Sequence, residues 1–136
     1  MQFHAYLTFN GQCREAFTFY QQVLGGKIEA MLTNDDMPAG EAMSEEWRDL
    51  VVHACLVVDG AVLMASDAPP HRYEKPQGFS VSIQLGDPQE AERIFTALAE
   101  GGEVRMAIGK TFWAERFGML VDRFGIPWMI NCTQGC

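Results

Sequence analysis

The sequence has little positive charge and no long apolar run, and each shortage excludes a class of partner. It holds 10 Lys and Arg against 18 Asp and Glu, which gives a formal net charge of −8. Binding to nucleic acid or to an anionic membrane needs clustered Lys and Arg, so neither partner is expected. The longest apolar stretches, such as residues 54–58, are too short to cross a bilayer. The first residues lack the basic and apolar regions of a signal peptide, so we expect a cytoplasmic protein.

Cysteine is also scarce, and its spacing matches no common motif. Cys13, Cys55, Cys132 and Cys136 form no C-x-x-C pair and show no zinc-finger spacing with histidine. In a reducing cytosol these residues are expected to be free thiols. Cys55 lies in an apolar run and is predicted to be a small core residue. A bond between Cys132 and Cys136 would be an incidental product formed in vitro.

What the sequence does contain is an internal repeat. The 136 residues are 48% apolar, which suits a single compact domain over residues 1–136. A shift of 76 residues places the strand residues Ala5, Leu7 and Phe9 on Val81, Ile83 and Leu85. The same shift places Phe19 of the helix on Phe95, Gly25-Gly26 on Gly101-Gly102, and Ile28 of the next strand on Val104. A shift of 65 residues then places segment 60–66 on segment 125–131, with Met64 on Met129. Constant shifts held over several elements indicate a duplicated structural unit.

Each half of the chain has the pattern of a βαβββ unit. Alternation predicts strands at 3–9 and 80–85, and helical spacing predicts helices at roughly 12–24 and from Asp87-Pro88 to Gly101. Further strands are predicted at 27–33, 50–58 and 60–66, and at 103–109, 117–122 and 125–131. The first copy is assigned to residues 1–67, the linker to 68–78 and the second copy to 79–136. The first copy is longer by 11 residues, assigned to segment 34–48, a loop that could cover a cleft.

One face of each predicted sheet is expected to pack against a helix. The helices carry apolar stripes for this contact, namely Ala16, Phe19, Tyr20 and Val23 in the first and Ala91, Ile94, Phe95 and Leu98 in the second. The other faces carry His4, Tyr6, Ser82 and Gln84, and are expected to line one shared cleft for a small molecule. The predicted fold class is therefore α+β: tandem βαβββ repeats form a curled mixed sheet around one cleft, with the helices outside.

Three stretches resemble a known family over nearly the whole chain. They are Ala5-Tyr-Leu-Thr-Phe with residues 16–26, His53 followed by Leu63-Met-Ala-Ser-Asp67, and residues 111–131, which begin Thr-Phe-Trp-Ala-Glu-Arg-Phe-Gly. On these stretches the chain resembles the PhnB-like glyoxalase-related proteins of the vicinal oxygen chelate superfamily, which includes glyoxalase, bleomycin-resistance and extradiol dioxygenase proteins. The resemblance implies the paired βαβββ fold and a homodimer. It implies no single activity, because the superfamily supports several chemistries on one scaffold.

The resemblance also identifies four positions at which metal-dependent relatives hold a divalent ion. In this sequence they are His4, Met64, Ser80 and Met129. A thioether is too soft for Zn²⁺, Mg²⁺ or Fe²⁺ in such a site, and a serine hydroxyl substitutes poorly for imidazole. His4 is thus the only plausible ligand, and a metal site would need His53 beside it. No metal and no cofactor are therefore expected.

Several other side chains are candidates for the ligand pocket, each with a structural alternative. His53 is interpreted as a hydrogen-bonded core residue or as an acid, base or ligand contact. Asp67 either orients a histidine or ligand donor, or caps the following Ala-Pro-Pro turn. Trp113, with Phe112 and Phe117, forms a ligand wall or packs a loop over the barrel end. Two further segments are interpreted as structural: Trp128 as core, and Asp122 to Pro127 as a turn.

These observations favour a metal-poor cleft that binds a small molecule, with Met64 and Met129 as an adaptable floor. The alternative is a metal-dependent lyase, isomerase or dioxygenase of the glyoxalase type, built around His4 and His53. A third class is suggested by relatives labelled demethylubiquinone methyltransferases. It is disfavoured because Gly25-Gly26 and Gly101-Gly102 follow helices, whereas a nucleotide-binding glycine turn joins a strand to a following helix.

Overall fold

The computed structural model describes residues 1–38 and 45–133. The chain divides into two compact units, Met1–Glu74 and Lys75–Cys136, with the boundary inside the segment 68–78 predicted as a linker. The middle of the predicted loop, residues 39–44, and the predicted partner Cys136 lie outside the described residues. None of the described helices is both long enough and apolar enough to pass through a bilayer.

The first unit contains four strands and one long helix. Its elements are β1 (Ala5–Phe9), α1 (Cys13–Leu24), β2 (Lys27–Thr33), β3 (Val51–Val58) and β4 (Ala61–Asp67). The strands form one sheet in the order β1-β4-β3-β2, in which β1 is parallel to β4 and the other pairs are antiparallel. This is the predicted βαβββ unit with a mixed sheet.

The second unit repeats the first. Its elements are β5 (Val81–Leu85), α2 (Pro88–Ala99), β6 (Glu103–Gly109), β7 (Arg116–Val121) and β8 (Pro127–Cys132). The strand order is β5-β8-β7-β6, again with one parallel pair, β5 with β8. The predicted α+β class with two βαβββ units is confirmed. Asp87 begins α2 as predicted, since its side chain accepts the Gln89 backbone N–H at 3.0 Å.

Strand register confirms both shifts of the repeat. Tyr6 lies opposite Met64 in the first unit, and Ser82 lies opposite Met129 in the second. These pairs are related by shifts of 76 and 65 residues. Sequence comparison alone had found the two shifts without knowing that the strands concerned are neighbours.

The helix phase was predicted wrongly at one position of α1. Phe17 is fully buried, whereas Phe19, predicted as core and matched with Phe95, is only half-buried. The buried residue that corresponds to Phe95 is Tyr20, because the turn from β1 to α1 is one residue longer than the turn from β5 to α2. The aromatic core of the first unit is therefore Phe9, Phe17 and Tyr20, whose ring centroids lie 5.9 to 6.4 Å apart.

The second glycine of each Gly-Gly pair has a role beyond ending the helix. A Cβ placed on Gly26 would lie 2.2 Å from the carbonyl oxygen of Val57, and one on Gly102 would lie 2.2 Å from that of Val121. No real Cβ approaches a backbone oxygen so closely. The two contacts are equivalent in the two units. They set the distance between the start of β2 and the end of β3 in the first unit, and between the start of β6 and the end of β7 in the second.

Candidate functional site

The helix-free face of the first sheet brings together Tyr6, His53, Cys55 and Met64. Met64 on β4 lies between Tyr6 on β1 and Cys55 on β3. Across this row the Tyr6 hydroxyl lies 3.3 Å from His53 Nδ1 and donates to it when that nitrogen carries no proton. The two rings are stacked, with centroids 6.0 Å apart and an interplanar angle of 29°. The face thus combines this polar pair with Met64 and Cys55, and with the hydroxyl side chains of Thr8 and Ser66, which lie opposite each other on β1 and β4.

This arrangement corrects two predictions about β3. His53 is half-buried on the helix-free face and bonds to Tyr6, so its interpretation as a core residue is wrong. Cys55 shares that face and is also only half-buried, so it is not part of the core. The core side of β3 is formed by Ala54 and Leu56.

The helix-free face of the second sheet carries amides where the first carries a ring pair. Gln84 on β5 lies opposite Asn131 on β8, and Asn131 Nδ2 donates to Gln84 Oε1 at 2.9 Å. Gln84 Nε2 in turn donates to the carbonyl oxygen of Thr133 at 3.4 Å. Asn131 Oδ1 is buried and accepts no hydrogen bond from the described residues. Ser82 and Met129, both predicted, lie next to this pair on the same strands.

Asn131 was missed by sequence reasoning, although the signal was present. It lies two residues after Met129 on a strand with a period of two, and therefore on the same face. In the repeat it was matched with Ser66 as the last position of the second shift, and no role was assigned to its side chain.

The Asp67 carboxylate has a structural task in the first unit. Its Oδ1 accepts the backbone N–H of Cys13 at 2.9 Å, and its Oδ2 accepts that of Val51 at 2.9 Å. The Asp67 carboxylate therefore accepts a hydrogen bond from the first amide of α1 and from the first amide of β3, and it does not cap the turn that follows it. Both oxygens are engaged and the residue is buried, so its carboxylate has a structural role, while its place in the ligand pocket stays a prediction.

Asp122 is a buried acid of the second unit and lies directly after β7. Its Oδ1 accepts the N–H groups of Phe124 and Ile126 at 2.9 and 3.0 Å, and its Oδ2 accepts Trp128 Nε1–H at 2.8 Å. The predicted turn is confirmed, and so is the buried position of Trp128.

The predicted metal positions do not fit a hard divalent ion. His4 and Met64 belong to the first unit, and Ser80 and Met129 to the second. His4 is exposed and its Nε2 lies 3.1 Å from Gln2 Oε1, while His53 contacts Tyr6. Two thioethers and a hydroxyl are poor donors for such an ion. Within residues 1–38 and 45–133, no three His, Cys, Asp or Glu side chains are grouped to hold a metal.

Trp113 lies on the loop between β6 and β7, at the edge of a cavity in the second unit. The Trp113 ring contacts Phe112 at a centroid distance of 4.8 Å and Phe117 at 5.3 Å, both edge to face. Phe112 is 96% exposed and Trp113 47% exposed, so packing alone does not account for this loop. The cavity has a volume of about 380 Å³, within the range of small-molecule sites.

A family model for 3-demethylubiquinone-9 3-methyltransferase matches residues 1–131. The chain belongs to this PhnB family. Protein YjdN from Escherichia coli K12 is 34% identical over 142 residues, covering 98% of this chain and 97% of YjdN. The crystal structure of PA1353 from Pseudomonas aeruginosa is 51% identical, covers 99% of both chains and has a TM-score of 0.90.

More distant structures share the fold of this chain. The fosfomycin resistance protein FosX from Listeria monocytogenes, in complex with Mn(II) and dihydroxypropylphosphonic acid, has a TM-score of 0.68 at 9% identity, with 98% of this chain and 93% of FosX covered. At that identity the likeness concerns the fold alone. The predicted PhnB family is confirmed by the family model and by YjdN, and a shared fold by itself assigns no activity.

The buried cysteines lead to a prediction about thiol reactivity. Burial, followed by the nearby charge of Asp67, raises the pKa of the Cys13 thiol to about 12. Burial, followed by the charges of Glu115 and Asp87, also raises the pKa of Cys132. A thiol with a raised pKa holds its proton and reacts slowly. At pH 8 we expect iodoacetamide to modify half-buried Cys55 and to leave Cys13 and Cys132 intact in the native protein.

Peptide mass spectrometry after labelling would measure the modified fraction at each cysteine. The same labelling in urea provides the control, since all three thiols should then react. Equal labelling rates for Cys13 in the native and unfolded protein would contradict the burial described here.

Proposed function

We propose that this PhnB-family protein binds small organic molecules at the helix-free face of each of its sheets, without a metal ion. The observation that carries the proposal is the Tyr6–His53 pair, which presents a hydroxyl and an imidazole beside the thioether of Met64 and the thiol of Cys55. Such a face suits a ligand with an apolar body and one polar group. Polarizable Met64 and Met129 adapt to different ligand shapes.

The amide pair of the second unit supports the same proposal. The buried Asn131 Oδ1 accepts no hydrogen bond from the described residues, and a buried acceptor left without a donor costs about 1–3 kcal/mol. A ligand N–H or O–H group, or a bound water, would satisfy it. We therefore expect the ligand to carry a hydrogen-bond donor.

The test is a thermal-shift screen of small organic molecules against protein dialysed with EDTA. We expect compounds that stabilise the metal-free protein, and we expect that Tyr6→Phe and His53→Gln reduce this stabilisation at least fivefold in apparent affinity. Tyr73→Phe and His71→Gln are the matched controls, since both residues lie outside the two sheets. Binding that requires added Zn²⁺, Ni²⁺ or Fe²⁺ would refute the proposal and support a glyoxalase-type metal enzyme.

S-adenosylmethionine belongs in the same screen because of the name of the matching family. We expect it not to bind. Gly25 and Gly101 follow α1 and α2, and Gly26 and Gly102 are required by close backbone contacts, so neither pair is a glycine turn between a strand and a following helix of the kind that cradles a nucleotide-like cofactor. Saturable binding of S-adenosylmethionine would favour methyl transfer instead.

A homodimer in the cytoplasm completes the proposal. Light scattering on the purified protein tests the dimer directly, with a mass of about twice the 15.2 kDa chain expected.

A further inference from the structure

The cavity of the second unit is formed where β5 and β8 end together. These two parallel strands run into Gly86 and Thr133, and the loop between β6 and β7 forms the opposite wall. Among the described residues, the lining includes Lys110, Phe112, Trp113, Glu115 and Cys132. None of these residues belongs to the Tyr6–His53 pair or to the row of methionines, so this is a second candidate site.

Backbone hydrogen bonds hold the loop in place. The N–H of Thr111 donates to the carbonyl of Ala114 at 3.0 Å, and the N–H of Ala114 donates to Thr111 Oγ1 at 3.1 Å. The N–H of Glu115 donates to the carbonyl of Cys132 at 3.0 Å, which fixes the loop to β8. Trp113 therefore lies on a fixed turn. A ligand that stacks on its ring does not have to order the loop, so little conformational entropy is lost on binding.

Two opposite charges line the same cavity. Lys110 lies at one end of the loop and Glu115 at the other, and neither forms an ion pair within the part of the chain that the structure describes. Arg116, next in sequence, is occupied by Glu92, with its Nε 2.9 Å from Glu92 Oε1. The charge of Glu115 also acts on buried Cys132 in the cavity wall, raising its pKa. One cation, one anion and an exposed indole therefore surround a single space.

We propose that this cavity binds a small aromatic zwitterion, of which an aromatic amino acid is the simplest form. Lys110 takes the carboxylate, Glu115 takes the ammonium group, and Trp113 packs against the ring. Lys110 and Glu115 are both exposed, so a ligand with one charge would pair with only one of them, whereas a zwitterion can pair with both. The inference goes beyond the proposed function, because it uses different residues and a different ligand class.

The experiment titrates three related probes and follows Trp113 fluorescence. L-phenylalanine carries both charges, 3-phenylpropanoate only the negative one and phenethylamine only the positive one. Trp47→Phe serves as the background, and buried Trp128 contributes a constant signal. We expect L-phenylalanine to bind most tightly, and its Kd to rise about tenfold in Lys110→Met and in Glu115→Gln.

The two single-charge probes identify which residue acts on which group. Lys110→Met should weaken 3-phenylpropanoate and leave phenethylamine unchanged, while Glu115→Gln should do the reverse. Lys75→Met and Glu100→Gln, exposed residues outside the cavity lining, are the matched controls and should change nothing. Circular dichroism verifies that each variant is folded.

Three results would overturn the proposal. The first is equal binding of all three probes, and the second is binding unaffected by Lys110→Met and Glu115→Gln. The third is a Trp113 signal that changes with protein concentration and with none of the probes, which would assign the exposed aromatic rings to self-association. Each result is independent of the Tyr6 and His53 variants, so this site and the proposed function fail separately.

Discussion

Replacing Gly102 with alanine is expected to destabilise the protein by about 3 kcal/mol or more, since the added methyl group overlaps with the backbone. The new Cβ would lie 2.2 Å from the Val121 carbonyl oxygen and 2.9 Å from Asp122 Cα. Both atoms belong to the main chain at the end of β7, so no change of rotamer relieves the overlap. Urea unfolding followed by circular dichroism measures the loss.

Gly101→Ala is the matched control for this effect. Gly101 has a φ of +75°, but its Cβ would meet only the side chain of Arg123, at 3.3 Å, and that exposed side chain can move. We expect a loss of about 1 kcal/mol from the left-handed backbone alone. Equal losses for the two substitutions would show that the close approach at Gly102 does not limit stability.

Removing the carboxylate of Asp122 is expected to have the second large effect, a loss of about 3–5 kcal/mol for Asp122→Ala. The substitution leaves the N–H groups of Phe124, Ile126 and Trp128 without their acceptor in a buried turn. A buried donor without a partner loses its hydration and gains nothing in return. The midpoint of urea unfolding should fall accordingly.

A double-mutant cycle separates the tryptophan bond from the two backbone bonds. Asp122→Asn keeps an oxygen for the two amides but places an N–H group against Trp128 Nε1–H, and Trp128→Phe removes that conflict. The two changes together should therefore cost less than the sum of their separate effects. Asp87→Ala, which removes only the exposed cap of α2, should cost about 1 kcal/mol. Strictly additive losses would contradict the Asp122–Trp128 interaction.

The fold could be predicted from sequence because the same βαβββ pattern occurs in both halves of the chain. Strand β1 and strand β5 show the same alternation, and Gly-Gly follows the helix in each half. The pattern in each half therefore supports the prediction made for the other. Prediction failed where the two copies differ by one residue. The longer turn before α1 shifts the helix phase, and as a result Tyr20, not Phe19, is the counterpart of buried Phe95.

The candidate site was less predictable, because its contacts depend on distant partners. The face on which His53 lies follows from alternation, yet its bond to Tyr6, 47 residues away, does not. The partners of Asp67 lie 54 and 16 residues away along the chain, and no local pattern identifies them. Asn131 follows from the alternation after Met129, but its unfilled acceptor depends on how neighbouring side chains cover it.

The parallel pairing of β1 with β4 has a consequence for the order of events during synthesis. Ala5 of β1 pairs with Leu63 of β4 and cannot do so until Leu63 has been synthesised. By contrast, β2, β3 and β4 can form successive hairpins as soon as they leave the ribosome. We therefore expect the N-terminal strand, the first to emerge, to be the last to dock in its unit. Until Asp67 follows, residues 5–9 stay uncovered, and this interval is when a nascent chain is most exposed to chaperones and to aggregation.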